Sequence, residues 1–481
     1  MNLNTTKQIS TSDSIDLSNI KKGPIIIAMI IGAFVSILNE TLLSNALPEL
    51  MREFNVTPTT IQWLTTVYML VVGVLVPVTA LLQQWFTTRQ LFLSAMILFL
   101  VGTIIAAFAP AFSFLLVGRI IQAFGTGLII PIMMNTILII FPPEERGGAM
   151  GLIGLVIMFA PAIGPTLSGV IIDTLDWRWL FYIVIPLALI SIIVGAKYLK
   201  NVSEITRPAV DVLSIILSTI GFGGFVYSFS KSGELGWGNA EVYGTLIIGV
   251  ASLIWFIIRQ LKIKNPILDL RTFKYPMFSI TVVLIVIVMM AMFSTMILLP
   301  MFLQGVLLVS AFKSGLIMLP GSVLNGFMAP ITGKLFDKYG PRTIIIPGIL
   351  LVAVAMWLFI GIDVTTTTGY IITIHCMLLV GISLVMMPTQ THGLNQLPKE
   401  LYPHGTAIFS TLQQVAGAIG TALFISKMSS GQKDYLTQSE NPNDPTEIVA
   451  SLTAGFDSAF TLGFIIVLLA IVVSLFIKRT K

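Results

Sequence analysis

The sequence has few charged or redox-active side chains for its length. Lysine, arginine, aspartate and glutamate make up 10% of the 481 residues, whereas soluble proteins average about 25%. The single cysteine, Cys376, excludes an intrachain disulfide. Three scattered histidines, with no cluster of acids around them, disfavour a membrane acyl- or glycosyltransferase. The sequence has no G-x-x-x-x-G-K-[ST] loop, so ATP-driven pumping is not expected.

Long apolar runs take the place of the missing charge. Hydrophobic residues make up 56% of the chain, and runs of about 20 apolar residues recur between residues 24 and 477. These runs are apolar on all sides, unlike the amphipathic helices of a soluble helical protein. We interpret them as fourteen membrane-spanning helices, the first acting as an uncleaved signal-anchor. The sequence therefore predicts an all-α polytopic membrane protein.

The basic residues indicate how the chain is oriented. Of 27 lysines and arginines, twenty fall in the predicted loops on the same side as both termini, six fall on the other side, and Arg119 lies within a span. Cytoplasmic loops of membrane proteins carry the excess of positive charge. Both termini are therefore predicted to be cytoplasmic. The net charge of +5 is interpreted as this orientation signal, so no nucleic-acid partner is expected.

Two groups of six spans flank a central pair, which predicts two six-helix bundles with two extra helices between them. Neither side offers a segment long enough for a soluble catalytic domain. The predicted parts are a cytoplasmic tail at 1–23, a first bundle at 24–200, a central pair with its linkers at 201–275, a second bundle at 276–477 with a flexible polar outer loop at 429–455, and a tail at 478–481.

One carboxylate, Glu40, lies well inside the first apolar run, which begins at Pro24. Burial disfavours an ionised side chain, so a carboxylate kept there is a candidate proton carrier. At ~1.5 Å per residue Glu40 lies ~24 Å into a layer ~30 Å thick. The alternative is therefore a solvated side chain near the outer surface. The neighbouring Asn39 makes this face polar enough to host a charge away from that surface.

One cation lies within a predicted span. Arg119 belongs to "LLVGRIIQAFGTG", and Gln122 follows one helical turn later on the same face. A buried guanidinium needs polar partners and normally marks a functional interior. The alternative is an arginine that extends its side chain to the membrane interface.

Two cytoplasmic loops occupy equivalent places in the two halves. The segment "GKLFDKYGPR" predicts a tight turn in which Asp337 forms a charge network with Lys338 and Arg342 at the cytoplasmic mouth. Its first-half equivalent, "ALLQQWFTTRQ", has Gln84 in place of the acid and keeps Arg89. For both loops a plain solvated turn is the alternative. The candidate gate residues are Gly333, Asp337, Lys338, Gly340, Arg342 and Arg89.

This second-half loop resembles the major facilitator superfamily, whose signature here is G-x-L-x-D-[RK]-x-G-x-[RK]. A segment of the fifth span, "MFAPAIGPTLSG", is similar to the antiporter signature of that superfamily through Gly164, Pro165, Ser168 and Gly169. Generic helix packing by small residues is the alternative for this segment. With its fourteen spans, the chain resembles the drug:proton antiporters of the QacA and EmrB type. Within that family it is most similar to the lincomycin-resistance exporters of Gram-positive bacteria.

The resemblance implies a proton-coupled multidrug antiporter of the bacterial cell membrane that works by alternating access. Glu40 and Arg119 would couple the proton, although the family's acid would fall at Asn39. No cofactor or metal is implied, because the proton gradient supplies the energy. The implied partners are neutral or monocationic amphipathic drugs, protons and the lipid bilayer, for a monomeric protein. Candidate substrate contacts are Asn39, Tyr68, Gln122, Asn135, Phe159, Met296 and Gln304.

Export of an endogenous metabolite, lipid or siderophore, with incidental drug transport, is the alternative function. The histidines are not assigned to the mechanism. His375 is interpreted as a packing residue of the twelfth span, and His392 and His404 as loop residues.

Overall fold

A computed structural model describes residues 22–56, 58–202, 205–206, 211–264 and 266–478. The regular structure in this part of the chain is helical throughout. The α-helices are α1 (Lys22–Leu42), α2 (Leu47–Glu53), α3 (Pro58–Trp85), α4 (Thr88–Ala107), α5 (Phe112–Ile140), α6 (Arg146–Thr174), α7 (Trp179–Tyr182), α8 (Val184–Tyr198), α9 (Val212–Leu235), α10 (Ala240–Lys262), α11 (Pro276–Gly305), α12 (Ala311–Tyr339), α13 (Pro341–Phe359), α14 (Thr368–Asn395), α15 (Tyr402–Gln438) and α16 (Pro445–Ser474).

Most of these helices are long and apolar enough to cross a bilayer. Among the described residues twelve helical segments meet that requirement, and α3 adds a thirteenth if its two parts count as one span. Helix α3 bends by 55° between Leu75 and Val78, where the sequence places Pro77. The count of fourteen and the cytoplasmic termini stay predictions. The predicted tails lie outside the described residues, apart from residues 22–23 and 478.

The long helices pack as two bundles with the central pair beside them. Helices α1, α3, α4, α5, α6 and α8 form the first bundle, and α11 to α16 form the second. The bundles meet along two lines. We call the contact of α6 with α12 the first seam, and the contact of α3 with α15 the second seam. Helix α9 of the central pair packs against both α3 and α15, so the extra helices lie on the second seam only.

Glycines allow α4 and α5 to pack with their backbones nearly in contact. A Cβ added to Gly102 would lie 2.5 Å from the amide nitrogen of Gln122 and 2.6 Å from the carbonyl oxygen of Gly118. Small residues are used in this way to bring membrane helices together. The close approach places the polar side chains of α5 within hydrogen-bonding distance of α4.

The predicted outer loop is much shorter than expected. Helix α15 continues to Gln438 and α16 begins at Pro445, so only residues 439–444 of the predicted range 429–455 are non-helical. The two helices stay packed in this region, where a Cβ on Gly455 would lie 2.6 Å from the carbonyl oxygen of Met428. The polar composition predicts a loop, but most of these residues belong to the C-terminal end of α15 and the N-terminal end of α16. The expected flexible segment is therefore corrected to a helical hairpin.

Candidate functional site

Arg119 is fully buried between helices of the first bundle. Its Nη1 donates hydrogen bonds to Asn39 Oδ1 at 2.8 Å and to Gln122 Oε1 at 3.2 Å, and its Nε donates to the carbonyl oxygen of Leu64 at 3.5 Å. The guanidinium carbon lies 4.0 Å from the centre of the Tyr68 ring, a cation–π contact. The side chain therefore does not extend to the membrane interface. It joins α1, α3 and α5.

A second layer of hydrogen bonds fixes the partners of Arg119. Gln122 Nε2 donates to Thr103 Oγ1 at 2.8 Å, a contact that depends on the close packing of α4 and α5. The hydroxyls of Tyr68 and Thr126 share a hydrogen bond of 2.6 Å. Buried polar groups that are satisfied in this way hold one arrangement of side chains. The predicted substrate contacts Asn39, Tyr68 and Gln122 thus lie together around one cation.

Glu40 lies next to this cluster and is partly exposed. It lies within electrostatic range of both Arg119 and Tyr68, and it makes no ion pair or hydrogen bond with the described residues. Asn39, at the position of the family's acid, is the direct partner of the guanidinium. Asn39 therefore binds the guanidinium of Arg119 directly, whereas Glu40 lies beside it without a bond.

The antiporter segment of α6 packs directly on the turn that carries Glu40. A Cβ on Gly164 would overlap Thr41 Oγ1, so only glycine fits there. Ser168 Oγ donates to the carbonyl oxygen of Leu42 at 2.6 Å and satisfies one of the free carbonyls at the end of α1. Pro165 lies on the same helix, and Gly169 faces open space. Gly164 and Ser168 therefore fix the position of the helix end beside Glu40.

Asp337 binds the N-terminus of α6 across the first seam. Its carboxylate accepts hydrogen bonds from the backbone N–H groups of Gly147 at 3.0 Å and Gly148 at 2.9 Å. The first N–H groups of a helix are unpaired and carry partial positive charge, which favours an anion. No ion pair joins Asp337 to Lys338 or Arg342 among the described residues, so the expected charge network is corrected. The acid holds the two bundles together through a helix end instead.

The other gate candidates have separate roles. Gly333 packs against α6, because a Cβ there would overlap the carbonyl oxygen of Gly147. Gly340 ends α12 with a φ of 81°, a conformation that favours glycine. Lys338 Nζ lies 5.1 Å from the ring centre of Tyr339. The exposed Arg89 donates to the carbonyl oxygen of Ala196 at 2.6 Å, within the first bundle, so it does not reach either seam.

Arg146 is a gate residue that sequence reasoning missed. It is 3% exposed and donates to the carbonyl oxygen of Leu138 at 2.6 Å, to Asn395 Oδ1 at 2.8 Å and to Tyr402 Oη at 3.0 Å. It therefore caps the end of α5 and crosses to α14 and α15 of the second bundle. The available signal is an arginine directly before two glycines at the start of a span, but in the sequence it is indistinguishable from an ordinary loop charge.

Gln84 and His404 meet at the second seam. Gln84 Nε2 lies 3.2 Å from His404 Nε2 across the two bundles. We define the gate end as the end of the molecule where residues 84, 146, 337 and 404 lie, which the sequence assigns to the cytoplasm. His404 lies in the first turn of α15 and His392 is buried within α14, so the interpretation of both as loop residues is wrong. At the gate end the bundles are in contact along both seams.

The remaining substrate candidates are dispersed. Asn135 is buried, and its Oδ1 has no hydrogen-bond partner within the described part of the chain, so it is suited to receive a ligand donor. Phe159 packs at the first seam, 6.2 Å from Phe327 between ring centres. Met296 and Gln304 are exposed on α11 and do not join the Arg119 cluster. Substrate contact by these two residues stays a prediction.

Two substitutions separate the contributions of the Tyr68 ring and hydroxyl. Tyr68→Phe keeps the ring over Arg119 and loses one hydrogen bond, worth about 1 kcal/mol, so we expect transport to fall only severalfold. Tyr68→Leu also removes a desolvated cation–π contact worth about 2 kcal/mol, so we expect a loss of more than about tenfold. Initial rates of drug efflux at matched protein levels measure both. Equal rates for the two variants would exclude a role for the ring.

The comparisons with known proteins agree with this architecture. A family model described as Major Facilitator Superfamily matches residues 29–421. The chain is 55% identical to the lincomycin resistance protein LmrB of Bacillus subtilis over 95% of this chain and 96% of that protein. It is 51% identical to LmrB of Listeria monocytogenes over 95% and 97% of the two chains. The human organic anion transporter MFSD10 has a similar structure, with a TM-score of 0.66 at 12% identity over 94% of this chain and 99% of that one.

Proposed function

The chain belongs to the Major Facilitator Superfamily, and we propose that it is a proton-coupled exporter of lincosamides and other neutral or monocationic amphipathic drugs. As a member of that family it is a multi-pass membrane transporter rather than an enzyme. Its relatives named for lincomycin resistance support the substrate class. The proton gradient supplies the energy, and the protein acts without a cofactor.

The arrangement of Glu40 beside the buried Arg119 carries this proposal. A buried guanidinium without a bonded carboxylate is costly, and the nearest acid lies within electrostatic range but makes no bond to it. Protonation of Glu40 removes that attraction, whereas deprotonation restores it. A site whose charge changes by one unit in this way can exchange a proton for a drug, because the two compete for the same partly exposed space.

Helix α6 supplies a physical link between this site and the gate end. Its N-terminus binds Asp337 at residues 147 and 148, and its residues 164 and 168 contact the end of α1. About 17 residues at ~1.5 Å each separate the two contacts by ~26 Å. Movement of the α1 end therefore acts on the same helix whose N-terminus closes the first seam. The closed gate end corresponds to the outward-facing state of an alternating-access cycle.

Proton and drug flux in inside-out vesicles tests the function. With an acidic lumen we expect lincomycin and a monovalent cationic dye to release luminal protons and to accumulate, and a protonophore to stop both. A divalent dye should be exchanged several-fold more slowly, because one carboxylate offsets a single positive charge. Drug accumulation at the same rate with and without the proton gradient would exclude proton coupling. A gradient unaffected by any of these drugs would favour export of an endogenous metabolite.

A further inference from the structure

We propose that His404 is a positioning residue that holds the second seam closed, by tying the first bundle and the central pair to the N-terminus of α15. The two seams are equivalent in position but different in chemistry. At the first seam a carboxylate, Asp337, binds the N-terminus of α6. At the second seam Gln84, in the last turn of α3, occupies the equivalent position, and its side chain carries no charge that could bind the N-terminus of α15. The inference rests on the alternating access proposed above.

The hydrogen bonds of His404 define the protonation of its ring. His404 is 7% exposed, and its Nδ1 accepts a hydrogen bond of 3.2 Å from the backbone N–H of Asp269. A backbone N–H can only donate, so the neutral ring carries its proton on Nε2. Gln84 Nε2 lies 3.2 Å from this ring nitrogen, and the two ends of a side-chain amide are an assignment rather than an observation. With the amide turned, its oxygen accepts the proton from His404 and its nitrogen faces the Thr206 hydroxyl, in exchange for the 3.3 Å bond to the carbonyl oxygen of Ala80. One imidazole therefore bonds to two other segments at once.

Each linker of the central pair contacts one member of the His404–Gln84 pair. In the linker before α9, the backbone N–H of Thr206 donates to the carbonyl oxygen of Gln84 at 3.0 Å. In the linker after α10, Asp269 contacts His404. Burial acts to raise the pKa of Asp269, but hydrogen bonds from Arg271 outweigh it and hold that pKa below its ordinary value. The inserted helices are thus connected to the gate end at two points.

Hydrogen bonds join the two helices of the central pair to each other near these points. Arg259 donates to Asp211 at 2.8 and 3.0 Å, and this hydrogen bonding lowers the pKa of Asp211 to about 2. Gln260 donates to Ser214 Oγ at 2.7 Å and accepts from the backbone N–H of Leu268 at 3.3 Å. Helix α9 also packs on α3 and α15. In this proposal the central pair helps to hold the bundles together at the second seam, as the carboxylate of Asp337 does at the first.

Cysteine labelling at the bundle interface tests the role of His404. Gln390 is 1% exposed and donates to Met134 Sδ across the bundles at 3.5 Å, so a cysteine there is covered while the gate end is closed. In a Cys376→Ser, Gln390→Cys background, inside-out vesicles are treated with a membrane-impermeant maleimide. We expect His404→Ala to raise the labelling rate by about tenfold, because the rate follows the ratio of open to closed molecules and that ratio should rise by about tenfold.

Conservative variants separate a positioning role from general damage. His404→Asn keeps an acceptor for the N–H of Asp269, and His404→Gln keeps reach to Gln84, so each should restore part of the slow labelling. Gln84→Leu should speed labelling as well, without altering α15. His375→Ala, which removes an equally buried histidine whose Nδ1 has no partner within the described residues, should label at the parent rate.

Parent-rate labelling of the folded His404→Ala and Gln84→Leu proteins would overturn the proposal. If His404→Ala fails to fold, Gln84→Leu alone decides between the two outcomes. The labelling needs neither a drug nor a proton gradient. The labelling result can therefore be interpreted even if the flux experiment fails. The proposal of proton-coupled export and the proposal for His404 can each be wrong without the other.

Discussion

Glu40→Gln is expected to abolish proton-driven drug export while the protein still binds and exchanges drug. Glutamine keeps the size and polarity of the side chain but cannot take up a proton. The charge beside Arg119 would then stay constant through the cycle, and the proton gradient would have no group to act on. Drug-induced proton release in inside-out vesicles should fall to background, at least about a tenfold loss of rate, or 1.4 kcal/mol in barrier terms. Drug counterflow without a gradient should persist.

Two further variants make this result specific. Glu49→Gln removes an acid that pairs with Arg52 at 2.8 Å on the surface, and it should transport as the parent does. Asn39→Asp combined with Glu40→Gln moves the acid to the residue that bonds Arg119 at 2.8 Å, and it should recover part of the proton exchange. Normal proton-coupled export by Glu40→Gln alone would show that the carrier lies elsewhere.

The charged site could be predicted from the sequence because charge is so rare inside the apolar runs. Glu40 and Arg119 stood out by composition alone, 79 positions apart, and both lie at one site. The sequence also placed Gln122 correctly, since residues three apart share a helix face. It did not predict that Asn39 would be the bonded partner. One position along a helix changes the direction of a side chain by about 100°, and only the packed bundle determines which direction faces Arg119.

The gate was harder to predict because its ligands are backbone groups and distant segments. Asp337 binds two N–H groups about 190 positions away, and a helix N-terminus has no side-chain signature that marks it as a ligand. Arg146 bonds to Asn395 and Tyr402 in the other bundle, so its role depends on how the halves dock. His404 contacts Gln84 and Asp269, which lie more than 130 positions away, so the sequence around it does not indicate its role. The local sequence pattern predicts the helices, whereas the contacts between distant residues depend on how the helices pack together.

Gly333→Ala is expected to open the gate end and to stop transport. The new Cβ would overlap the carbonyl oxygen of Gly147, and neither backbone can move aside without parting α6 from α12. Overpacking of this kind costs about 1–3 kcal/mol. Asp337 lies one turn from Gly333 on the same face, so its hydrogen bonds to α6 would be lost too, at about 1.5–3 kcal/mol each for a charged acceptor. Several kcal/mol is enough to reverse the population of the closed and open states.

A matched glycine on the same helix controls for the effect of a methyl group in α12. A Cβ on Gly315 meets no atom within 4 Å, so Gly315→Ala should transport at the parent rate and label slowly at a cysteine introduced for Gln390. Gly333→Ala in that background should label at least about tenfold faster, in proportion to the fraction of open molecules. If both alanine variants transported and labelled alike, closure of the first seam would not be a step of the cycle. Because the two substitutions differ only in what the new methyl group touches, a difference between them has to arise from the contact of Gly333 with α6.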